Sequence, residues 1–260
     1  MRSLLHLDSS ASGRGDSVTR QLTALYADTW RCLHGSAGYR YRDLAAEPVP
    51  LVSPAFVSLG IRVERHGTVP LPKVAEMAGS PAEEREWALT LPLIAEMRAA
   101  ETVLVGVPMY NFSVPASLKA WIDRVTFPGA FLDAGTGDRL LRETNVVVVA
   151  ARGGSYVPGT PREDFDFQTP YLRAYFTELG VAPENLHFVH AEMTRASDVP
   201  ALAHFKPLAA DSLAAARTAV SELAHRQAGT GAADSLAAAR TAVSELAHRQ
   251  AGTGAAARMR

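Results

Sequence analysis

Residues 3–34 read SLLHLDSSASGRGDSVTRQLTALYADTWRCLH. Ser3–Asp8 is apolar enough for a buried strand, the next stretch is a Ser/Gly loop, and Ser17–His34 is amphipathic. Val18, Leu22, Leu25, Tyr26, Trp30 and Leu33 fall near one face at helical spacing. The unit is strand, polar loop, helix. It recurs down the chain. Tyr39–Asp43 is a short second strand. Thr102–Val107 (TVLVGV) precedes a helix over Pro115–Arg124, and Asn145–Ala151 (NVVVVAA) precedes a helix over Asp166–Leu179. Asn185–Ala191 is a last strand, and a final helix starts near Asp211. Pro81 opens another helix, with Glu83, Glu84 and Glu86 suited to its positive end, and Pro92 is expected to kink it. Residues 44–80, rich in proline, read as an irregular excursion. Strands that are apolar throughout and separated by helices imply a parallel sheet covered on both faces. The expected fold is α/β, a doubly wound five-stranded parallel sheet of order 2-1-3-4-5 with helices on both faces.

The C-terminus sets the domain limits. Residues 211–233 (DSLAAARTAVSELAHRQAGTGAA) are repeated without change at 234–256. Solenoid repeats drift and number three or more, so this reads as a recent duplication of the last-helix segment or an artefact of sequence assembly. One domain over 1–230 and a tail over 231–260 are expected, the tail without a function of its own.

Composition excludes several classes. The 260 residues carry a net charge of −1, which offers no electrostatic footprint for nucleic acid. No apolar run reaches the ~18 residues of a membrane span, and the N-terminus does not read as a signal peptide. One cysteine, Cys32, excludes an internal disulfide framework and makes the cytoplasm the default. Cys32 itself reads as a small buried hydrophobe on the first helix. The eight histidines are scattered. His187 and His190, three apart on a strand, face opposite sides, so no metal site is expected.

In a sheet of this order ligands bind beyond the carboxyl ends of the strands. Three loops should therefore carry function. Residues 8–19 (DSSASGRGDSVT) enter a helix N-terminus, where free N–H groups and hydroxyls can cradle a monophosphate. Neither GxxxxGK[ST] nor GxGxxG is present, which argues against a nucleoside-triphosphate loop or a dinucleotide fingerprint. Residues 108–115 (PMYNFSVP) can line a planar heteroaromatic ring. Residues 151–156 (ARGGSY) let backbone approach a ligand closely at two glycines, with Arg152 a cation at the rim. Taken singly, each also reads as an ordinary capped turn, core cover or Gly turn. No Ser-His-Asp or paired-carboxylate constellation is visible.

LLHLDSSASGRGDSVTRQLTALYADTW, VPMYNFSVPASLKAWIDRV and ARGG followed by TPYLRAYFTELG together resemble the FMN-dependent NADH azoreductases of the flavodoxin-like quinone reductase superfamily, from about residue 3 to residue 227. The resemblance implies a homodimer with FMN near its interface. It implies ping-pong hydride transfer of two electrons from NADH or NADPH to quinones, azo compounds or similar flat acceptors. Ser10, Ser17, Val18 and Thr19 would hold the phosphate. Pro108, Met109, Tyr110, Asn111 and Phe112 would contact the ring and ribityl chain, and Ala151, Arg152, Gly153 and Gly154 the pyrimidine edge. Tyr156, Phe127 and Phe131 would flank the acceptor. Two departures stand out. Ala151 replaces the usual Ser, and residues 130–137 (AFLDAGTG) replace a Thr-Phe-x-Tyr stretch that helps roof the substrate pocket. The second keeps open a tailoring reductase with a dedicated substrate. A flavodoxin-like electron carrier is the other alternative.

Overall fold

A computed structural model describes residues 2–226. The domain limit at 230 and the second copy of the repeat lie outside the described residues. The chain forms a five-stranded parallel sheet: β1 (Leu4–Asp8), β2 (Tyr39–Asp43), β3 (Thr102–Gly106), β4 (Asn145–Ala151) and β5 (Leu186–Ala191), in the order β2-β1-β3-β4-β5. Leu4 pairs with Tyr39 and Thr102, Thr102 with Asn145, and Val146 with Leu186, so the carboxyl ends of β1, β3 and β4 reach the same edge of the sheet.

The pleat sends alternate side chains to two cores. Leu5, Leu7, Val103, Val105, Val146 and Val148 enter one, with Phe56, Trp87, Trp121 and Phe176. Leu4, Leu104, Val147 and Val149 enter the other, under α1 (Val18–His34) and the helix over 206–226. In α1 the buried Leu22, Tyr26 and Trp30 recur every fourth residue. Each such side chain contributes about 1.5–3 kcal/mol by leaving water. Ser17 caps the helix by accepting from Arg20 N–H. Gly35, at φ +78°, ends it with its N–H on the Arg31 carbonyl.

Several expectations are corrected here. Residues 44–80 are not irregular: they hold α2 (Pro54–Arg65) and the single turn α3 (Leu71–Val74). Ser53 caps α2, Pro54 sits in its first turn, and Phe56, Leu59, Gly60 and Val63 make its buried face. The next helix, α4 (Pro81–Ala99), continues through Pro92. It is followed by α5 (Ala116–Val125) and α6 (Gln168–Glu178). Cys32 is exposed. Phe127 and Phe131 sit in the core and do not line the cavity at the strand ends. Phe127 packs edge-on to Phe56 at 5.5 Å and against Trp87 at 5.0 Å.

Gly106 ends β3 where α1 passes closest. A Cβ there would lie 2.3 Å from Asp8 Oδ1, 3.0 Å from Thr23 Cγ2 and 3.1 Å from Thr19 Cγ2. Asp8 is buried and held by Thr23, so it has little room to yield. Gly106→Ala should cost about 1–3 kcal/mol, seen as a lower urea midpoint at unchanged slope. A midpoint equal to wild type would show that α1 is not tightly seated.

Candidate functional site: a cavity at the strand ends

A cavity of about 210 Å³ opens at the carboxyl edge of the sheet. Ser10, Ser17, Val18, Thr19, Pro108, Met109, Tyr110, Ala151 and Gly153 all line it, so the three loops read from sequence meet in one place. The lower wall is the N-terminus of α1. The Val18 and Thr19 N–H groups have no acceptor among the described residues, as the first turn of a helix requires. Among the described residues Thr19 Oγ1 is buried with no hydrogen-bond partner, which normally calls for a bound acceptor. Ser10 Oγ accepts from Ser12 N–H at 3.3 Å, and Ser17 Oγ from Arg20 N–H at 3.3 Å. Each of these hydroxyls keeps its own proton to donate.

The second wall is a strained turn. Tyr110 N–H donates to the Ser113 carbonyl and Ser113 N–H to the Tyr110 carbonyl, both at 3.0 Å. The two central residues, Asn111 (φ 47°) and Phe112 (φ 70°), are both left-handed. Asn tolerates this conformation, but a bulky Phe does not adopt it without cost, and such strain concentrates at functional sites. The turn stands proud of the fold, with Asn111 and Phe112 exposed beside the cavity rather than lining it. Tyr110 Oη accepts from Ala11 N–H at 3.1 Å and so ties this turn to the α1 loop. Phe112 stacks obliquely on Phe165 at 5.3 Å and edge-on to Tyr156 at 6.3 Å. Phe165 and Phe167 are also exposed, which makes an aromatic shelf at the rim.

At the third wall Arg152 departs from expectation. Its side chain is not at the rim: it is 1% exposed and turns inward from the end of β4. It lies 3.2 Å from Glu192 Oε1 and 3.1 Å from Asp166 Oδ2, bonds Thr169, and donates to His190 Nε2 at 2.9 Å. His190 must therefore be neutral, and burial followed by the nearby Arg152 charge lowers its pKa to about 4. Burial pushes Asp166 up, but hydrogen bonds from Thr169 and the Arg152 charge outweigh it and hold the group below the usual carboxylate value. Burial raises Glu192, whose Oε2 accepts from Tyr156 N–H at 2.8 Å. Arg152 thus shapes residues 152–156 from behind. Gly154 lies beside the Tyr156 ring, and Tyr156 is buried outside the cavity lining.

Sequence reasoning missed part of the lining: Ser12, Asp16, Thr194, Arg195 and Asp198. Residues 194–198 follow β5. Thr194 N–H and Oγ1 both donate to the Arg152 carbonyl, at 2.9 and 3.0 Å, which draws this segment to the third wall. Arg195 lays its stem over Gly153, where a Cβ would come within 2.9 Å of Arg195 Cδ. Among the described residues no cluster of three or more His, Cys, Asp or Glu side chains could hold a metal. None of their helices is long and apolar enough to cross a membrane.

A family model described as flavodoxin-like fold matches residues 2–223. The chain belongs to this flavodoxin-like family. Within it, an FMN-dependent NADH:quinone oxidoreductase of Nocardia farcinica (strain IFM 10152) is 42% identical over 203 residues, covering 78% of this chain and 88% of the relative. A protein of the same description from Streptomyces coelicolor (strain ATCC BAA-471 / A3(2) / M145) is 39% identical over 209 residues, covering 80% and 87%. Among solved structures, an FMN-dependent NADH-azoreductase from Bacillus anthracis str. Ames Ancestor in complex with FMN superposes with a TM-score of 0.67 at 19% identity, covering 87% of this chain and 100% of that one. That likeness shares the flavodoxin-like fold.

Proposed function

We propose that this protein is an FMN-dependent oxidoreductase that passes two electrons from NADH or NADPH to quinones or azo compounds. The observation that carries the reading is the buried, unpartnered Thr19 hydroxyl in a cradle of free N–H groups, continuous with the turn at Tyr110–Ser113. The donor set suits FMN. Hydroxyls of Ser10, Ser17 and Thr19 and the N–H groups of Val18 and Thr19 hold the phosphate, where the helix dipole favours an anion. Pro108, Met109 and Tyr110 line the path to the ring, Asn111 and Phe112 border it, and Ala151, Gly153 and Gly154 bring backbone to its edge. FMN supplies the two-electron chemistry, and the protein supplies binding and orientation. The exposed aromatic shelf of Phe112, Phe165 and Phe167 offers a flat acceptor a stacking surface.

The protein acts as a homodimer in the cytoplasm. Support for the dimer comes from an apolar row, Leu51, Val52, Val57 and Ile61, exposed on and beside α2. Support for the compartment comes from the exposed thiol of Cys32, which persists where thiols stay reduced.

The test is direct. Purified protein should show a flavin absorbance band that NADH bleaches and a quinone restores. Thr19→Val, which keeps the shape and removes one hydrogen bond to an anion, should weaken FMN binding roughly ten- to hundred-fold by fluorescence titration. Protein that takes up no FMN would overturn the proposal, and a band bleached by dithionite but not by NADH would favour an electron carrier.

A further inference from the structure

Arg20 sits in the first turn of α1 and does not line the flavin cavity, yet it touches both serines of the phosphate cradle. Its backbone N–H donates to Ser17 Oγ at 3.3 Å, and its Nη2 donates to the Ser10 carbonyl at 2.6 Å. The same guanidinium forks onto Asp43 at the end of β2, with Nη1 to Oδ2 at 2.7 Å and Nη2 to Oδ1 at 2.8 Å. Nη1 also donates to Tyr41 Oη at 2.9 Å. Tyr41 Oη donates to Asp8 Oδ2 at 3.1 Å, and Thr23 Oγ1 donates to Asp8 Oδ1 at 2.9 Å. Asp43 is fixed in turn by the N–H groups of Ala45 and Ala46.

We propose that Arg20, clamped by Asp43, is the positioning residue that makes the site selective for phosphorylated flavin. The inference rests on the FMN reading above. A loop carbonyl normally has water as its alternative partner, and residues 9–16 have little apolar surface to hold them in place. Arg20 replaces that water with a fixed donor. It thereby sets the backbone at Ser10 and leaves the Ser10 hydroxyl proton free, while its N–H occupies a lone pair of Ser17 and leaves that proton free as well. Both donors are then oriented before the phosphate arrives, and the ordering cost is met in folding rather than in binding. A planar fork is needed to hold Asp43 and Ser10 together, which a lysine ammonium cannot reproduce.

The experiment compares FMN with riboflavin, which has the same ring and no phosphate. Apo-protein is titrated with each by flavin fluorescence, for wild type, Arg20→Met, Arg20→Lys and Asp43→Asn. Arg20→Met should lower FMN affinity at least ten-fold and riboflavin affinity less than two-fold. Arg20→Lys should not restore it, and Asp43→Asn should give a smaller loss of the same selective kind. Asp43→Asn keeps the side-chain shape, so it decides the matter even where Arg20→Met fails to fold. Equal losses for both flavins would mean a general structural role and would overturn the inference, as would unchanged selectivity in Asp43→Asn or Arg20→Met. Wild-type protein that binds neither flavin would instead overturn the function proposed above, and this inference with it.

Discussion

Arg152→Ala should lower the unfolding free energy by about 3–5 kcal/mol and abolish ordered flavin binding, because it removes the guanidinium held among Glu192, Asp166, His190 and Thr169. The loss is larger than that of a surface pair because both carboxylates stay where they are, desolvated and without their partner. Glu192 is tied to Tyr156 N–H and Asp166 to the N–H groups of Gln168 and Thr169, so neither can swing out to water. The pH dependence follows from the signs. In the wild type Asp166 is depressed, so its contribution is present above its unfolded pKa and fades as pH falls through the folded one. Glu192 is raised and gains from acid. Without Arg152 both rise, and protonation then relieves the buried charge. The deficit against wild type should be greatest at pH 7 and shrink toward pH 5 in urea titrations. A deficit below about 1 kcal/mol at pH 7 would mean the pair is solvated.

Arg152 also shows why part of the site was not legible. A cation beside two glycines at a strand end has the pattern of a rim group. Its partners lie off in sequence, at positions 166, 169, 190 and 192: the β4–β5 pairing brings up His190 and Glu192, and the start of α6 brings Asp166 and Thr169. Residues 194–198 were missed for a related reason: they carry neither the glycines nor the aromatics that mark a ligand loop, and they reach the cavity through hydrogen bonds to the Arg152 carbonyl. The three loops that were legible are those whose residue types match their task locally, with hydroxyls at a helix start, an Asn at a left-handed turn and glycine at a close approach.

The sheet was legible for a different reason. Strands buried on both faces are predominantly apolar, and β3 and β4 are read as such once helices separate them, with β1 admitting only His6 and Asp8 as polar residues. The segment leading to α2 hides its helix behind Pro48, Pro50 and Pro54, although Ser53-Pro54 is itself a start signal. Phe127 looks like a ligand aromatic because nothing local says which way it points; Trp87 and Phe56, forty or more residues away, draw it into the core. Cys32 is instructive in the other direction. Leu22, Tyr26 and Trp30 define the buried stripe of α1, and a residue two past Trp30 lies about 200° around the helix. Its exposure followed from the spacing.

Arg124→Ala is expected to cost about 3–5 kcal/mol as well, and the reason lies in one buried guanidinium that ties α4, the segment at Pro50–Leu51 and α2 together. Arg124 is 0% exposed. Its Nη1 donates to Glu86 Oε2 at 2.7 Å and to Thr90 Oγ1 at 3.2 Å, both on α4. Its Nε and Nη2 donate to the carbonyls of Pro50 and Leu51, each at 3.0 Å, and its face lies 5.4 Å from the Phe56 ring of α2. Truncation leaves a carboxylate and two carbonyls short of donors and a void beside Phe56. Glu86 keeps a hydrogen bond from Ser53, which limits the loss on that side. Arg124→Met fills the void and isolates the polar part. The double variant Arg124→Met with Glu86→Gln should recover at least about 1 kcal/mol of the single-variant loss, because the uncompensated charge goes with its partner. Because Arg124 holds Pro50 and Leu51, on the segment that leads into the Ser53 cap, the single variant should also loosen α2, read as faster amide exchange at Phe56–Val63 while α1 stays protected. Uniform exchange across both helices would mean that Arg124 supports the whole fold rather than the entry to α2.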